Sequence, residues 1–398
     1  MMKIKLLISF LFLFILTGCW NYRELNDLAI ATGIAIDKSE DGFEVSVLIA
    51  NAKKAQVSTK EGESQTSVYS EKGKTITEAL RNINLKFSKE IYIGHLSVIV
   101  INEEIAKEGL YPILDYFLRE PESSKRFYSI IAKDCKAKEV ISILSPLESF
   151  PSQNLYFNIK NSPNSQGVSP SVTFSKFIEN ILKPGAEPFL PTVVIEGDSE
   201  KATDSDDLQK SIPSANLKLD TMAIFKDDKL IGYADEDESR GIDLINEKVE
   251  NTTSSFKYNN HYISISLSEI KVKKKVDIIN NEIIAYINLE SIASIKEIAG
   301  DENLNNKEII DDIEKKSEEA IKNIIERGLD CALKKYKSDI FGFGNLIYKK
   351  NPKYFEKIKY DWDDRLNNLK TVVNVNLKLQ TKGSLEQTIG GLLNDIKN

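Results

Sequence analysis

Two histidines, three cysteines and four short motifs are the places where this chain could do chemistry. His95 lies in Gly94-His95-Leu96-Ser97 and His261 in Asn260-His261-Tyr262. Neither has a carboxylate or thiol at ligand spacing, so a zinc site or a histidine-based triad lacks its other members. A strand-edge histidine holding one backbone hydrogen bond accounts for His95. Gly73-Lys74-Thr75 resembles half of a phosphate loop, but the glycine that must stand five residues earlier is Val68. Asp235, Asp237 and Ser239 alternate as in a calcium loop, yet Arg240 occupies the position of the turn glycine, which leaves a solvated helix start. Phe341-Gly342-Phe343-Gly344 is too short for a dinucleotide fingerprint and reads as an apolar turn after a helix. Cys135 and Cys331 are far apart and sit in no motif, so they are expected to be buried, inert and unpaired. The residues therefore nominate no catalytic group, no metal ligand and no cofactor site.

Cys19 is different because of what precedes it. Lys3 and Lys5 are followed by an apolar run over residues 6–16, then Leu16-Thr17-Gly18-Cys19. A basic segment, an apolar segment and small residues before a cleavage point form a secretory signal. The run is too short to cross roughly 30 Å of hydrocarbon, which needs about 20 apolar residues. An apolar residue, small residues and a cysteine resemble the lipobox of bacterial lipoproteins. That resemblance implies cleavage ahead of Cys19, an S-diacylglyceryl group on its sulfur and an acyl group on its new N-terminus. Two or more acyl chains hold a protein stably on a bilayer, where one holds it only marginally. Trp20 follows directly and favours the membrane interface.

The elements behind these residues alternate in type. Residues 28–36 and 43–50 read as a hairpin turning at Ser39-Glu40-Asp41-Gly42. Thr75-Ile76-Thr77-Glu78 is a capping box, with Ile76, Ala79, Leu80, Ile83 and Phe87 at helical spacing behind it. A strand over 95–101, a helix over 103–118 kinked or divided at Pro112, and a strand over 127–132 follow. A helix over 172–182 ends at Lys183-Pro184-Gly185, and a strand covers 190–196. Farther on come a hairpin over 217–225 and 229–233, a helix over 236–249 and long alternating strands over 262–276 and 282–295. Ile309, Ile313, Ala320, Ile324, Ile325, Leu329, Ala332 and Tyr336 place one long amphipathic helix before Asp339. A short helix over 353–359 and a strand over 371–380 close the chain. The class is α+β, multi-domain, with mixed sheets and packed helices.

Residues 197–212 are acidic and nearly free of aliphatic side chains, which reads as a solvated linker. They separate an N-terminal α+β domain, 19–196, from a C-terminal α+β region, 213–398, which forms one unit or two, 213–303 and 304–398. Residues 1–18 are the signal peptide. With 53 basic and 60 acidic residues the chain has a net charge of −7, and loss of Lys3 and Lys5 makes it more negative. That disfavours nucleic acid and anionic lipid as partners, so membrane contact should run through the lipid and through protein neighbours.

Several ordered blocks resemble the Ger(x)C family, the C subunits of bacterial spore germinant receptors. They are Gly18-Cys19-Trp20 running through Arg23-Glu24-Leu25-Asn26-Asp27-Leu28-Ala29 to Gly33-Ile34-Ala35-Ile36-Asp37, then Gly94-His95-Leu96 with Val98-Ile99-Val100. In the second half stand Ala223-Ile224-Phe225-Lys226-Asp227-Asp228-Lys229-Leu230-Ile231-Gly232-Tyr233, Glu238-Ser239-Arg240-Gly241, Asp339-Ile340-Phe341-Gly342-Phe343-Gly344, Trp362 and Val373-Asn374-Val375-Asn376-Leu377. Asn21 departs from the charged residue usual in the family, and the acidic linker has no motif to compare. The resemblance implies a lipid-anchored, non-enzymatic protein on the outer face of the cell membrane or spore inner membrane. It further implies integral-membrane A and B subunits as partners, and a part in nutrient-triggered germination. A substrate-binding lipoprotein of an importer shares the signal and the size, but it would show two similar lobes of repeated βαβ units. A lipid-anchored wall hydrolase would need a placed catalytic site.

Overall fold

The computed structural model describes residues 24, 27–51, 65–86, 88–164, 167–246, 249–280, 282–300 and 302–380. The signal peptide, Cys19 and Trp20 lie outside them. Among the described residues, nine strands build one sheet: β1 (Leu28–Ser39), β2 (Gly42–Ala50), β3 (Thr66–Gly73), β4 (Glu90–Tyr92), β5 (Val98–Asn102), β6 (Tyr128–Ala132), β7 (Phe189–Gly197), β8 (Ala215–Lys226) and β9 (Lys229–Ala234). The spatial order is β3-β2-β1-β5-β6-β7-β8-β9, with β4 paired to the start of β1. Its centre, β1-β5-β6-β7, is parallel, and antiparallel pairs flank it on both sides. Period-two alternation sends Ile34, Ile36, Ile99, Ile101 and Ile131 to one face. It sends Ala35, Val98, Val100, Ile130 and Ala132 to the other. Both faces are covered, which is why the central strands are continuous apolar runs.

Helices α1 (Ile76–Asn84), α3 (Tyr111–Arg119) and α6 (Phe174–Leu182) supply buried residues to the first face, and α2 (Glu103–Glu108) lies just before α3. Helices α4 (Ala137–Ser142) and α5 (Pro151–Asn161) cover the second face. The expected helix over 103–118 is divided, but not at Pro112. The break falls at Gly109, whose φ is +134°, and Pro112 stands in the first turn of α3, where a missing N–H costs nothing. The turn between β8 and β9 fills the break. Asp228 Oδ2 accepts the Tyr111 N–H at 2.9 Å and the Asp228 carbonyl accepts the Leu110 N–H at 3.1 Å.

A second sheet contains β10 (Asn251–Tyr258), β11 (His261–Ile279), β12 (Glu282–Ile298) and β13 (Lys370–Gln380) in sequence order. The first two pairs are antiparallel and the last is parallel. Helix α7 (Glu236–Ile245) follows β9, and the long α8 (Lys307–Leu329) runs into a π-helical turn, Asp330–Lys335. Short helices α9 (Phe343–Lys350), α10 (Pro352–Ile358) and α11 (Trp362–Asn367) precede β13. Ile313, Ile321, Ile325 and Leu329 of α8 join Ile263, Ile265, Leu267, Ile287 and Leu289 in the same continuous apolar cluster as the first face of the large sheet.

The segment read as an acidic linker is locally organised. It carries two 3-10 turns, Lys201–Thr203 and Ser205–Gln209, and buries Asp207. The Asp207 carboxylate accepts the Ser214 N–H at 2.9 Å and the Ser214 hydroxyl at 2.5 Å. Strands β7 and β8 pair across it, so the large sheet continues to Ala234. A polar segment without aliphatic residues cannot build a core, but one buried carboxylate with local donors can still fix it.

Candidate functional site

The motifs with chemical potential become structural devices. Thr75 caps α1, its hydroxyl accepting the Glu78 N–H at 3.1 Å while the Glu78 carboxylate accepts the Lys74 N–H at 2.8 Å. Asp235 caps α7 through the Glu238 N–H at 2.8 Å. Arg327 of α8 donates to Asp235 at 2.9 Å and to Asp237 at 2.5 Å, so this calcium-like pair is engaged by a guanidinium. His95 is exposed beside the Tyr92 ring. His261 Nε2 stands 3.0 Å from Glu302, a partner distant in sequence that spacing rules do not reveal. Cys135 and Cys331 are free thiols, and burial pushes both up to about 12, far from a reactive thiolate. Among the described residues no group of His, Cys, Asp and Glu is placed to hold a metal ion.

What the structure does build is a junction between the two sheets, centred on Asp339. This carboxylate is fully buried. Its Oδ1 accepts the Phe343 N–H at 2.9 Å, and its Oδ2 accepts the Gly344 N–H at 2.7 Å and the Trp362 indole N–H at 3.1 Å. Helix α9 thus begins with its free N–H groups satisfied by an acid, the charge its positive end favours. Gly342, at φ +71°, makes the reversal that brings those amides back to the carboxylate. Burial is the largest influence on Asp339 and raises its carboxyl to about 6 against the pull of its three donors.

The large sheet meets this hub through the loop after α6. The Glu187 N–H reaches the Asp339 carbonyl at 3.0 Å, and Asn345 donates from its backbone to Gly185 at 3.0 Å and from its side chain to Pro184 at 3.2 Å. Backbone approaches backbone here, for a Cβ on Gly344 would lie 2.9 Å from both Gly185 Cα and the Trp362 indole nitrogen. Ser338 donates to the Phe225 carbonyl of β8 at 2.8 Å, and Lys274 of β11 donates to the Phe341 carbonyl at 3.1 Å. Lys226 of β8 bridges Glu187 at 2.8 Å and Asp363 at 2.5 Å. A cleft of 210 Å³ beside the hub is lined by Lys176, Asn180, Glu187, Lys274 and Phe341, among others.

A second joint lies where α7 crosses α8. Gly241 faces Gly328, and a Cβ on Gly241 would overlap the Ile324 carbonyl oxygen. The Tyr336 hydroxyl, just after the π turn, donates to the Tyr233 carbonyl at 2.8 Å and accepts its N–H at 3.1 Å. The Phe341–Gly344 motif is therefore more than an apolar turn, and the sequence reading missed Asp339 as its organiser. The available signal was an aspartate four residues ahead of the helix, followed by two glycines. This arrangement offers no nucleophile with an activating base. It joins two sheets through buried polar and glycine contacts.

Comparison with known proteins covers both halves. A family described as "Spore germination protein N-terminal domain" matches residues 21–195. Another, "Spore germination B3/ GerAC like, C-terminal", matches residues 220–383. Spore germination protein KC of Bacillus subtilis (strain 168) is 28% identical over 361 residues, 88% of each chain. Spore germination protein B3 of the same organism is 22% identical over 392 residues, 96% of this chain and 98% of that one. The crystal structure of the GerBC protein superposes with a TM-score of 0.53 at 17% identity, covering 90% of this chain and 99% of that one. At that identity the likeness speaks for the fold.

Proposed function

The chain belongs to the Ger(x)C family of spore germination proteins, and on that premise we propose that it is the lipid-anchored C subunit of a nutrient germinant receptor. Its role in spore germination follows from the family. The finer reading rests on one observation above the others. The family matches flank the acidic segment and together span nearly everything after a lipobox-like Leu16-Thr17-Gly18-Cys19.

In this reading Cys19 carries an S-diacylglyceryl group and an N-terminal acyl group, and the protein sits on the outer face of the cell membrane or spore inner membrane. Eight residues, 20–27, separate Cys19 from β1, so the large sheet stands within roughly 30 Å of the bilayer. Among the described residues no helix is long and apolar enough to cross a membrane. The partners are the integral-membrane A and B subunits. The subunit acts by protein-protein interaction and not by catalysis, an interaction role that suits two sheets joined by a packed junction.

The test is to label sporulating cells with an alkyne fatty acid and isolate spore inner membranes. Wild type should carry the label, stay with the membrane after a salt wash and co-purify with the A and B subunits. Cys19→Ala should lose the label and most of the membrane fraction. Unlabelled wild type, or a Cys19→Ala variant that remains membrane-bound without the A and B subunits, would sink the anchoring part.

A further inference from the structure

The four-stranded sheet is covered on one side only. Alternation along its strands turns Ile263, Ile265, Leu267, Ile287, Leu289 and Leu377 into the core that α8 shares. The residues between them point the other way, and Thr253, Ser255, Lys271, Lys273, Asn374 and Lys378 are all exposed there. The β13 edge is guarded, for the Leu377 and Leu379 N–H groups are taken by Glu318 at 3.0 Å and Glu314 at 2.8 Å, one helical turn apart on α8. What the small sheet offers a partner is therefore this bare face.

Its charges are largely unspent. Lys271 and Lys273 on β11 and Lys370 and Lys378 on β13 make no ion pair among the described residues, although Glu290 of β12 stands opposite Lys271. Against these four stand Glu282 and Glu290, while Asp277 is already held by Lys275 at 2.6 Å and Lys350 at 3.0 Å. The face thus carries an excess of positive charge. Its lysines flank β12, roughly 10 Å apart across the sheet, and those on β13 are roughly 27 Å apart along it. Between them Asn374 donates to Asn288 at 2.8 Å and fixes a flat polar row beside Lys273.

The topology says what lies near. Strands β1, β5, β6 and β7 are parallel, so they all begin at one end of the large sheet. Only residues 20–27 separate Cys19 from that end. The small sheet joins there too. Gly185 and Glu187, just ahead of β7, hold the Asp339 hub, and Ser338 bonds Phe225, which lies against the start of β7. The net charge of −7 argues against an anionic surface for the chain as a whole, but within a Debye length of about 8 Å a surface meets only the nearest face.

We infer that the bare face of the small sheet, at Lys271, Lys273, Lys370 and Lys378, is a docking surface for a bilayer containing anionic phospholipid. Each lysine brought to such a surface strengthens the contact about fivefold, and a basic patch adds to a lipid anchor as a second, independent hold. The contact also orients the subunit, with the small sheet down and the exit end of the large sheet away from the bilayer. The inference rests on the anchoring at Cys19 proposed above for the nearness of a bilayer.

The probe is the acetylation rate of each lysine, read by peptide mass spectrometry, on vesicles of phosphatidylcholine alone or with roughly a third phosphatidylglycerol. The full chain is reconstituted in both. A second preparation, with a histidine tag in place of residues 1–19, is held on nickel-chelating lipid and brings the chain to the bilayer whatever the state of Cys19. In both preparations the four lysines should react about fivefold more slowly on the anionic vesicles, and salt at about 0.5 M should abolish the difference. Lys74 and Lys136, which follow β3 and β6 at the exit end of the large sheet, should not change. A full chain that is unacylated and leaves the vesicles, beside a tagged chain whose lysines are protected, would reject the anchor and uphold the face. Equal rates on the two kinds of vesicle in the tagged chain would overturn the inference. So would protection by a soluble polyanion such as polyglutamate with none on vesicles, which assigns the face to a polymer.

Discussion

Asp339 is buried with three N–H donors on its two oxygens, and burial still lifts its carboxyl to about 6. In the unfolded chain the same group titrates near the ordinary 3.8. The folded state therefore binds this proton more readily, and the stability linked to it is fully present below about pH 4 and lost as pH rises through about 6. Wild type should lose up to about 3 kcal/mol relative to Asp339→Asn between those limits, measured by urea unfolding at each pH. Parallel pH profiles for the two proteins would contradict the assignment. Asp339→Ala is harsher at any pH, since it leaves three buried donors without an acceptor and should cost roughly 3 kcal/mol or more.

Helix α7 meets α8 at Gly241 and Gly328, and this crossing makes a prediction with a diagnostic sign. An alanine in place of a helical glycine ordinarily stabilises by about 1 kcal/mol. Gly241→Ala should instead destabilise by about 1–3 kcal/mol, because the new methyl meets the Ile324 carbonyl and α7 must lift. Thermal unfolding decides it, and a rise in Tm would show that the crossing is looser than described. The guarded edge of β13 makes another. Replacing Glu314 and Glu318 together by alanine frees the Leu377 and Leu379 N–H groups and should increase aggregation, read by light scattering at constant pH.

Elements with a strong internal period were legible from sequence: the first hairpin, the capped α1, the two long strands and α8 all stand where alternation or helical spacing puts them. Elements that depend on a distant partner were not. Strand β3 has a polar, half-exposed sequence, and only pairing with β2 makes it a strand. Strand β10 likewise reads as polar Thr and Ser until β11 lies beside it. Helices α4 and α5 are short and weakly periodic. The N–H groups of Ala137 and Lys138 at the start of α4 are held by the Asp37 carboxylate at 2.8 Å, about a hundred residues away. The junction was half legible. The residues from Asp339 to Gly344 stood out as a block, but the closeness of Gly185 and Trp362 exists only in three dimensions.

At the scale of the whole molecule, the Asp339 hub and the α7–α8 crossing tie the large sheet to the small one. Trp362 reports on that joint, since its indole nitrogen bonds Asp339. Fluorescence of Trp362, recorded in a Trp20→Phe background, should therefore change in the same urea transition as far-ultraviolet circular dichroism. In Asp339→Ala the fluorescence transition should move to lower urea and separate from the second. Separate transitions in wild type would mean that the sheets unfold independently and that the hub does not couple them.

The most direct test of the central claim, that this chain is an anchored subunit of a germinant receptor, is deletion of its gene in the sporulating host. Spores of the deletion strain are scored for germination with nutrients and with a non-nutrient trigger, and complemented with wild type or Cys19→Ala. Selective loss of a nutrient response, restored by wild type and poorly by Cys19→Ala, is the expected result. Normal germination with every nutrient, in a strain lacking redundant receptors, would contradict the account.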